Sequence, residues 1–238
     1  SRDFGKRRDV TESAQREPYL NCFCCPPNLV RTIAKVSGWA YCLSENGVAV
    51  NLYGGNILET NLLDGSKIKL MQETQYPWEG VVNITIQECK VEPFDMLIRI
   101  PKWAEGTSIK INGQEVGIPI VEGSFATLNR AWKASDVISI NLPMEVAFME
   151  GHPRIEEVRN QVAVQRGPVV YCVESPDLPE DTNITDVYIS GSSNMKAEYR
   201  PDFLGGVSII KSDLLLRLGE SEGMYRKVKK PTFKTYST

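Results

Sequence analysis

The amino-acid sequence predicts a mainly β fold, made of antiparallel β-sandwich domains that follow an extended segment and one helix. Three observations support this class. Apolar and polar residues alternate with a period of two in many short runs between residues 48 and 218, as in strands that bury one face. Glycine, proline, asparagine and aspartate interrupt these runs about every ten residues, which is typical of sandwiches. Helical patterns do not alternate with the runs, as a parallel sheet would require.

The elements are predicted in chain order. Residues 1–21 are polar and charged without a clear period, and we expect an extended segment there. A helix is predicted over 26–38, because Leu29 and Ile33 share one face and Gly38 is a suitable stop. The dipeptide Asn112-Gly113 predicts a tight hairpin turn. Strands are predicted at 48–53, 68–71, 81–87, 96–100, 108–111, 124–128, 137–148, 161–173, 185–189, 195–199, 207–210 and 214–218.

Composition excludes several classes of partner. The chain has 238 residues, 42% of them hydrophobic, and a formal net charge of −3. This balance gives no electrostatic reason to expect binding to nucleic acid or to an anionic membrane. We find no apolar run near the roughly 20 residues that a membrane helix needs. The six cysteines, with three clustered at 22, 24 and 25 and the others at 42, 89 and 172, do not form a disulfide framework.

The cysteine cluster is the part of the sequence most suited to chemistry. It reads Cys-Phe-Cys-Cys over 22–25 and is followed at once by two prolines that fit the first turn of a helix. Thiolates are soft metal ligands and strong nucleophiles, and the positive end of a helix favours them. A zinc site needs about four ligands, however, and the single histidine, His152, is far along the chain. From spacing alone, a group of buried or reduced thiols remains an equal alternative.

Other polar and aromatic residues are weighed against simpler roles. Asp64, Glu73, Glu79 and Glu88 are candidates for paired glycosidase carboxylates, but nothing in the sequence fixes their separation, and solvated charges are the favoured interpretation. Trp39, Trp78, Trp103 and Trp132 are candidates for stacking on sugars. We favour core positions for these tryptophans, with Trp78 as the best candidate for exposure.

The string Cys24-Cys25-Pro26-Pro27-Asn28, with Cys22 two positions earlier, resembles the signature of glycoside hydrolase families 127 and 146. These families are bacterial enzymes of the β-L-arabinofuranosidase type. The resemblance continues over nearly the whole chain, at 38–41, 50–53, 97–104, 111–113 and 165–171. It implies a retaining glycoside hydrolase acting on β-L-arabinofuranosides or similar sugars.

The resemblance also implies roles for individual residues. Carried over from the family, Cys24 is the catalytic nucleophile, and Cys24 and Cys25 are zinc ligands. The remaining ligands and the glutamate that acts as general acid/base are expected upstream of the motif, outside this chain. We therefore expect zinc in the full-length parent, and weak or no zinc binding by the chain alone.

The same resemblance implies the domain organisation of a C-terminal fragment. Residues 1–43 would be the tail of a helical (α/α)6 barrel, with the predicted helix as its last. Residues 44–175 would be one β-sandwich domain and 176–238 part of a second, divided at an acidic, proline-containing stretch, 175–182. The expected partners are a carbohydrate substrate and the missing N-terminal barrel, with no nucleic acid and no membrane.

Two other functions remain open from the sequence. One is a non-catalytic β-sandwich module for carbohydrate binding or interdomain packing, which predicts exposed aromatic residues on one sheet face. The other is a zinc-stabilised interaction domain, which predicts stoichiometric zinc in the chain alone.

Overall fold

The computed structural model describes residues 24–180, 182–218 and 231–237. Backbone contacts divide these residues into two compact units. The first unit contains 24–145 together with 166–169, and the second contains 146–165 and the described residues from 170 onward. The predicted extended segment at 1–21 and Cys22 lie outside the described residues. The predicted domain limits at 43/44 and 175/176 stay predictions.

The predicted helix is present as α1, Cys25–Val36. It begins one residue earlier than predicted, with the two prolines inside its first turn. It ends at Val36, because Ser37–Trp39 continue as a tighter 3-10 turn in which Ala40 N donates to Ser37 O over 3.3 Å. Among the described residues, no helix is long and apolar enough to cross a membrane.

The first unit contains ten strands. In chain order they are β1 Tyr41–Ser44, β2 Gly47–Val50, β3 Asn56–Asn61, β4 Lys67–Thr74, β5 Val81–Glu88, β6 Phe94–Arg99, β7 Ser108–Ile111, β8 Gln114–Glu115, β9 Phe125–Arg130 and β10 Val137–Asn141. One sheet has the order β1-β2-β6-β9 and the other the order β3-β4-β5-β10-β7-β8. Strands β2 and β6 pair in parallel, whereas the other pairs of these two sheets are antiparallel.

The two sheets enclose one hydrophobic core, so this unit is a β-sandwich. On β5, Val82, Ile84 and Ile86 are fully buried and the residues between them are not. On β6, in the other sheet, Phe94 and Met96 are likewise fully buried. These side chains belong to one core cluster fed by both sheets. The period-two alternation predicted from the sequence is therefore the pattern that forms this core.

Eight further strands follow residue 145 in the described part of the chain. They are β11 Val146–Glu150, β12 Val162–Arg166, β13 Val169–Tyr171, β14 Val187–Tyr188, β15 Lys196–Arg200, β16 Val207–Lys211, β17 Asp213–Leu218 and β18 Thr232–Ser237. They form three small sheets of orders β11-β12-β13, β14-β17-β18 and β15-β16. A smaller core of Leu178, Leu214 and Leu216 lies in the second unit. The mainly β, antiparallel fold class is confirmed.

Several strand limits differ from the predictions. The predicted strand 137–148 is two strands in separate sheets, β10 and β11, because Pro143 lies between them and cannot donate a ladder hydrogen bond. The predicted strand 161–173 is also two strands, β12 and β13, which pair in one sheet and are joined by a turn in which Gly167 has a φ of +56°. Strands β1, β3, β8 and β18 lie outside the predicted strand ranges, although the Asn112-Gly113 turn predicted a hairpin at β8.

Candidate active site

The two described cysteines of the cluster lie together at the start of α1. Cys24 occupies the N-cap position and Cys25 is the first helical residue. Both side chains are exposed, and their Sγ atoms are 3.5 Å apart. The helix begins with a hydrogen bond from Asn28 N to Cys24 O of 3.3 Å. The structure therefore brings both predicted zinc ligands to one helix end, at the position the sequence predicted.

The first turn of α1 combines the positive end of a helix dipole with few free backbone donors beside these thiols. Helix dipoles place partial positive charge at the N-terminus, and the first turn of α1 contains no acidic residue that would oppose a thiolate. Pro26 and Pro27 have no N–H, so they remove two of the donors that a helix start usually offers.

The geometry of the pair fits two ligands of one zinc ion. Two thiolates at about 2.3 Å from a tetrahedral zinc would be about 3.8 Å apart. The observed Sγ–Sγ distance of 3.5 Å is close to this value. Within the described residues, no group of three or more His, Cys, Asp or Glu side chains is placed to hold a metal. If zinc binds here, Cys24 and Cys25 would supply two donors, and a closed site would require others from outside the described part of the chain.

The acidic residues considered as candidates lie in ion-paired or exposed positions. Asp64 pairs with Lys90 and accepts hydrogen bonds from Ser66, and these contacts hold the pKa of its carboxyl group well below its usual range. Glu73 and Glu88 lie on exposed positions of strands β4 and β5. These observations agree with solvated strand and loop charges. His152 accepts a hydrogen bond from the N–H of Arg154, 3.2 Å away, within an exposed loop.

The four tryptophans have different surroundings. Trp132 is 2% exposed in the sandwich core, and its Nε1 donates to Phe94 O over 3.0 Å. Trp78 is half-buried and its carbonyl accepts a hydrogen bond from Arg166 Nη1 at 2.9 Å. Trp39 is 51% exposed. The expectation that Trp78 is the most exposed of the four is wrong, since Trp39 is exposed and Trp78 is half-buried.

A cleft that sequence reasoning did not find lies at the opposite end of α1. Its volume is about 330 Å³, and its walls come from Val36, the loop 51–56, Tyr76, Arg99 and Pro101. These residues are separated by up to 65 positions in the chain, so no motif or spacing could signal them. All of them belong to the first unit.

Comparison with known proteins identifies the family. The model of the β-L-arabinofuranosidase GH127 middle domain matches residues 47–144, and that of the family 127 C-terminal domain matches 146–210. The chain is 28% identical over 204 residues to the non-reducing end β-L-arabinofuranosidase of Bifidobacterium longum, covering 83% of this chain and 30% of that protein.

Solved structures give the same family. A GH127 β-L-arabinofuranosidase from Geobacillus stearothermophilus T6 is 32% identical with a TM-score of 0.83, covering 92% of this chain and 34% of that one. A structure described as a glycoside hydrolase is 38% identical with a TM-score of 0.84, covering 96% of this chain and 38% of that one. The chain spans about a third of the length of these relatives. It belongs to glycoside hydrolase family 127, of which it contains the middle and C-terminal domains.

Proposed function

We propose that the parent protein is a retaining glycoside hydrolase that cleaves β-L-arabinofuranosides or close analogues, with Cys24 as its nucleophile. The observation that carries this proposal is the pair of exposed thiols 3.5 Å apart at the start of α1. Family membership and the names of the relatives support the substrate class. A thiol at a helix N-terminus is a position where nucleophilic cysteines are activated.

The proposed reaction has two displacement steps. The Cys24 thiolate attacks the anomeric carbon, a carbon–sulfur bond forms, and the glycosidic carbon–oxygen bond breaks. An acid from outside the described residues protonates the leaving oxygen. Water then attacks the same carbon, giving its proton to the conjugate base of that acid, and Cys24 leaves as a thiolate, so two inversions give net retention. A zinc ion held by Cys24 and Cys25 would keep both thiols deprotonated at neutral pH.

Cys24 and Cys25 have separable roles in this proposal. In the parent, Cys24→Ser should lower turnover of an aryl β-L-arabinofuranoside by at least about a thousandfold, because a serine hydroxyl without a base is a poor nucleophile. Cys25→Ser should lower the zinc content, measured by elemental analysis of the purified protein. Cys172→Ser removes another exposed thiol, far along the chain, and serves as the control. An active Cys24→Ser enzyme, or an inverted anomeric configuration of the first product by NMR, would reject the mechanism.

Helix α1 supports the proposal that a further domain of the parent, the expected helical barrel, packs against this chain. Its apolar side chains Leu29, Val30 and Ile33 are 62%, 66% and 62% exposed among the described residues. An amphipathic helix is normally stabilised by burying such a face. Interdomain packing, proposed above as an alternative function, is thus part of the same proposal.

The packing of α1 can be tested separately from the chemistry. In the parent, Ile33→Asp should lower turnover and thermal stability together, since a buried carboxylate at a domain interface is costly. Ile57→Asp, at a position 60% exposed on β3, is the matched control and should change neither. Equal effects of the two substitutions would reject a covering domain on this face.

A further inference from the structure

Asn28, in the first turns of α1, is a polar residue that the proposed reaction does not use. It follows the two prolines and lies four residues after Cys24 and three after Cys25. Cys24 has helical backbone angles, φ −73° and ψ −45°, so helical spacing applies from this residue onward. Residues three and four apart on a helix are surface neighbours, with Cβ atoms about 5–6 Å apart. Asn28 is therefore a neighbour of both thiols.

Asn28 shares the polar face of α1 with the proposed nucleophile. With 3.6 residues per turn, Asn28 is about 40° from Cys24 around the helix axis, and Arg31 and Lys35 are each about 20° from it. Ile33, on the apolar face, is about 180° away from Cys24. The apolar face is the one proposed to pack against a further domain of the parent. The opposite face, which carries Cys24, is therefore the one that a substrate would meet.

Arg31 orients the side-chain amide of Asn28. Its Nη1 donates a hydrogen bond to Asn28 Oδ1. A guanidinium has donors only, so the amide oxygen faces Arg31 and the NH2 group faces away from it. The Cα–Cβ bond of a helical residue tilts toward the N-terminus, which brings the amide toward the level of the thiols. Among the described residues, the Asn28 NH2 group has no acceptor.

The helix does not depend on this amide. The Asn28 N–H donates to Cys24 O over 3.3 Å, and the Asn28 carbonyl accepts a hydrogen bond from Thr32 Oγ1 at 2.9 Å. Both bonds use the backbone of Asn28, so an alanine at this position keeps them. Alanine also has a higher helix propensity than asparagine. Replacement of Asn28 by alanine therefore removes the side-chain donor and leaves α1 in place.

A donor at this position suits the sugar that Cys24 would attack. Pro26 and Pro27 offer no N–H beside the thiols, so a side chain has to supply a donor there. The 2-hydroxyl of the sugar is on the carbon next to the attacked one, and it is the hydroxyl closest to the sulfur once the carbon–sulfur bond forms. In glycosidases, hydrogen bonds to the 2-hydroxyl strengthen in the transition state.

We propose that Asn28 is a substrate-binding residue whose Nδ2 donates to the 2-hydroxyl oxygen of the sugar that Cys24 attacks. Arg31 is a positioning residue, which acts by holding the amide of Asn28 in that orientation. This inference rests on the proposed function. It places the nucleophile and the recognition of the neighbouring hydroxyl on one helix face, one turn apart.

Two aryl β-L-arabinofuranosides test the proposal with the full-length parent, one with the 2-hydroxyl and one with fluorine in its place. Fluorine is a poor hydrogen-bond acceptor, and its effect on intrinsic reactivity cancels when two enzymes are compared. Asn28→Ala should lower kcat/KM by about a hundredfold for the hydroxyl substrate and by at most about threefold for the fluoro substrate. Asn28→Asp keeps the size and the contact with Arg31 but has no donor when ionised, and it should behave alike.

Variants of two other residues on the polar face serve as further tests. Arg31→Met should lower kcat/KM for the hydroxyl substrate by about tenfold, with little change for the fluoro substrate, and Arg31→Lys, which keeps a donor, should recover part of this loss. Lys35→Ala is the matched control. It lies on the same face but eleven residues from Cys24, about 16 Å along the helix, and should change kcat/KM for neither substrate.

The outcomes separate this inference from the proposed function. Equal losses for the two substrates in Asn28→Ala would show a structural effect and overturn the role of Asn28, as would unchanged kcat/KM for both. A parent that depends on Cys24 but discriminates between the two substrates without Asn28 would reject this inference alone. A parent that cleaves neither substrate would reject the proposed function, and the inference with it.

Discussion

Replacement of Phe94 by alanine tests whether the sandwich core is the source of stability in the first unit. Phe94 is 0% exposed at the start of β6 and its ring centroid lies 6.3 Å from that of Trp132. Loss of the buried ring removes about 1.5–3 kcal/mol of transfer free energy, and loss of the aromatic pair about 0.5–1.5 kcal/mol. The cavity left behind adds to this cost. We therefore expect Phe94→Ala to lower the free energy of unfolding by about 4 kcal/mol.

Phe125 provides a control of the same residue type on the neighbouring strand β9. Its side chain is 44% exposed, so Phe125→Ala should cost about 1 kcal/mol or less. If Phe94→Ala does not fold, Phe94→Leu keeps most of the volume and should cost about 1.5 kcal/mol. The test is the ratio of the losses in unfolding free energy that Phe94→Ala and Phe125→Ala cause.

Urea unfolding followed by tryptophan fluorescence measures this unit selectively. All four tryptophans of the chain lie between residues 39 and 132, inside the first unit. With a urea dependence of about 2 kcal/mol per M, Phe94→Ala should move the midpoint by about 2 M and Phe125→Ala by about 0.5 M. Equal midpoint shifts for the two variants would refute the assignment of Phe94 to a shared core.

Three further predictions follow from the described contacts. Burial raises the pKa of Asp136, but hydrogen bonds from Asn112 and from a backbone N–H outweigh it and hold the pKa below its usual 3.8. The stability that this carboxylate contributes is present above about pH 4 and is lost as pH falls through its folded pKa. The urea midpoint of Asp136→Asn should therefore vary less between pH 6 and pH 3 than that of the wild type. Gly47→Ala should destabilise the first unit far more than Gly117→Ala in the same urea assay, because its Cβ would lie 1.9 Å from Asp95 O. The purified chain should hold less than one zinc per molecule after dialysis, since the described residues supply two of about four ligands; elemental analysis that gives one tightly held zinc would contradict this.

The sandwich was predictable where the residue pattern of a short segment matches the burial or backbone conformation of that segment in the structure. The alternation on β5 follows directly from a strand with one buried face. The Asn112-Gly113 turn was also predictable, because both residues have positive φ, 52° and 82°, as a tight hairpin requires. Asn112 further accepts a hydrogen bond from Val137 N at 2.8 Å, a contact between residues 25 positions apart that no local pattern indicates.

The missed strand limits depend on tertiary structure. Residues 137–148 were predicted as one strand, but Leu142 N donates to Gly80 O at 2.9 Å and the chain then leaves the first sheet. Strand β3 begins and ends with asparagine, which has a low strand propensity, and it forms because β4 offers a pairing edge. Propensity alone cannot report the presence of such a partner.

The candidate site also has one part that the sequence predicts and one part that it does not. The thiol pair is contiguous in sequence and stands before a recognisable helix, so its location could be predicted. The cleft walls come from Val36, Tyr76 and Arg99, which only the folded chain brings together. The cleft therefore has no sequence signature that spacing rules could detect.

Helix α1 connects the thiol pair mechanically to the sandwich. At its C-terminal end the chain is held by hydrogen bonds from Asn51 N to Ala40 O, 2.8 Å, and from Asn51 Nδ2 to Trp39 O, 3.3 Å. The helix itself has no buried residue within the described structure. A tilt of about 10° at this end would move Cys24, about 18 Å away, by about 3 Å. Catalytic groups must be held within about 0.5 Å of their working geometry. Within the described residues α1 is attached at one end, which cannot position the proposed nucleophile. The proposed mechanism therefore requires packing on the apolar face of α1 by residues outside the described part of the chain.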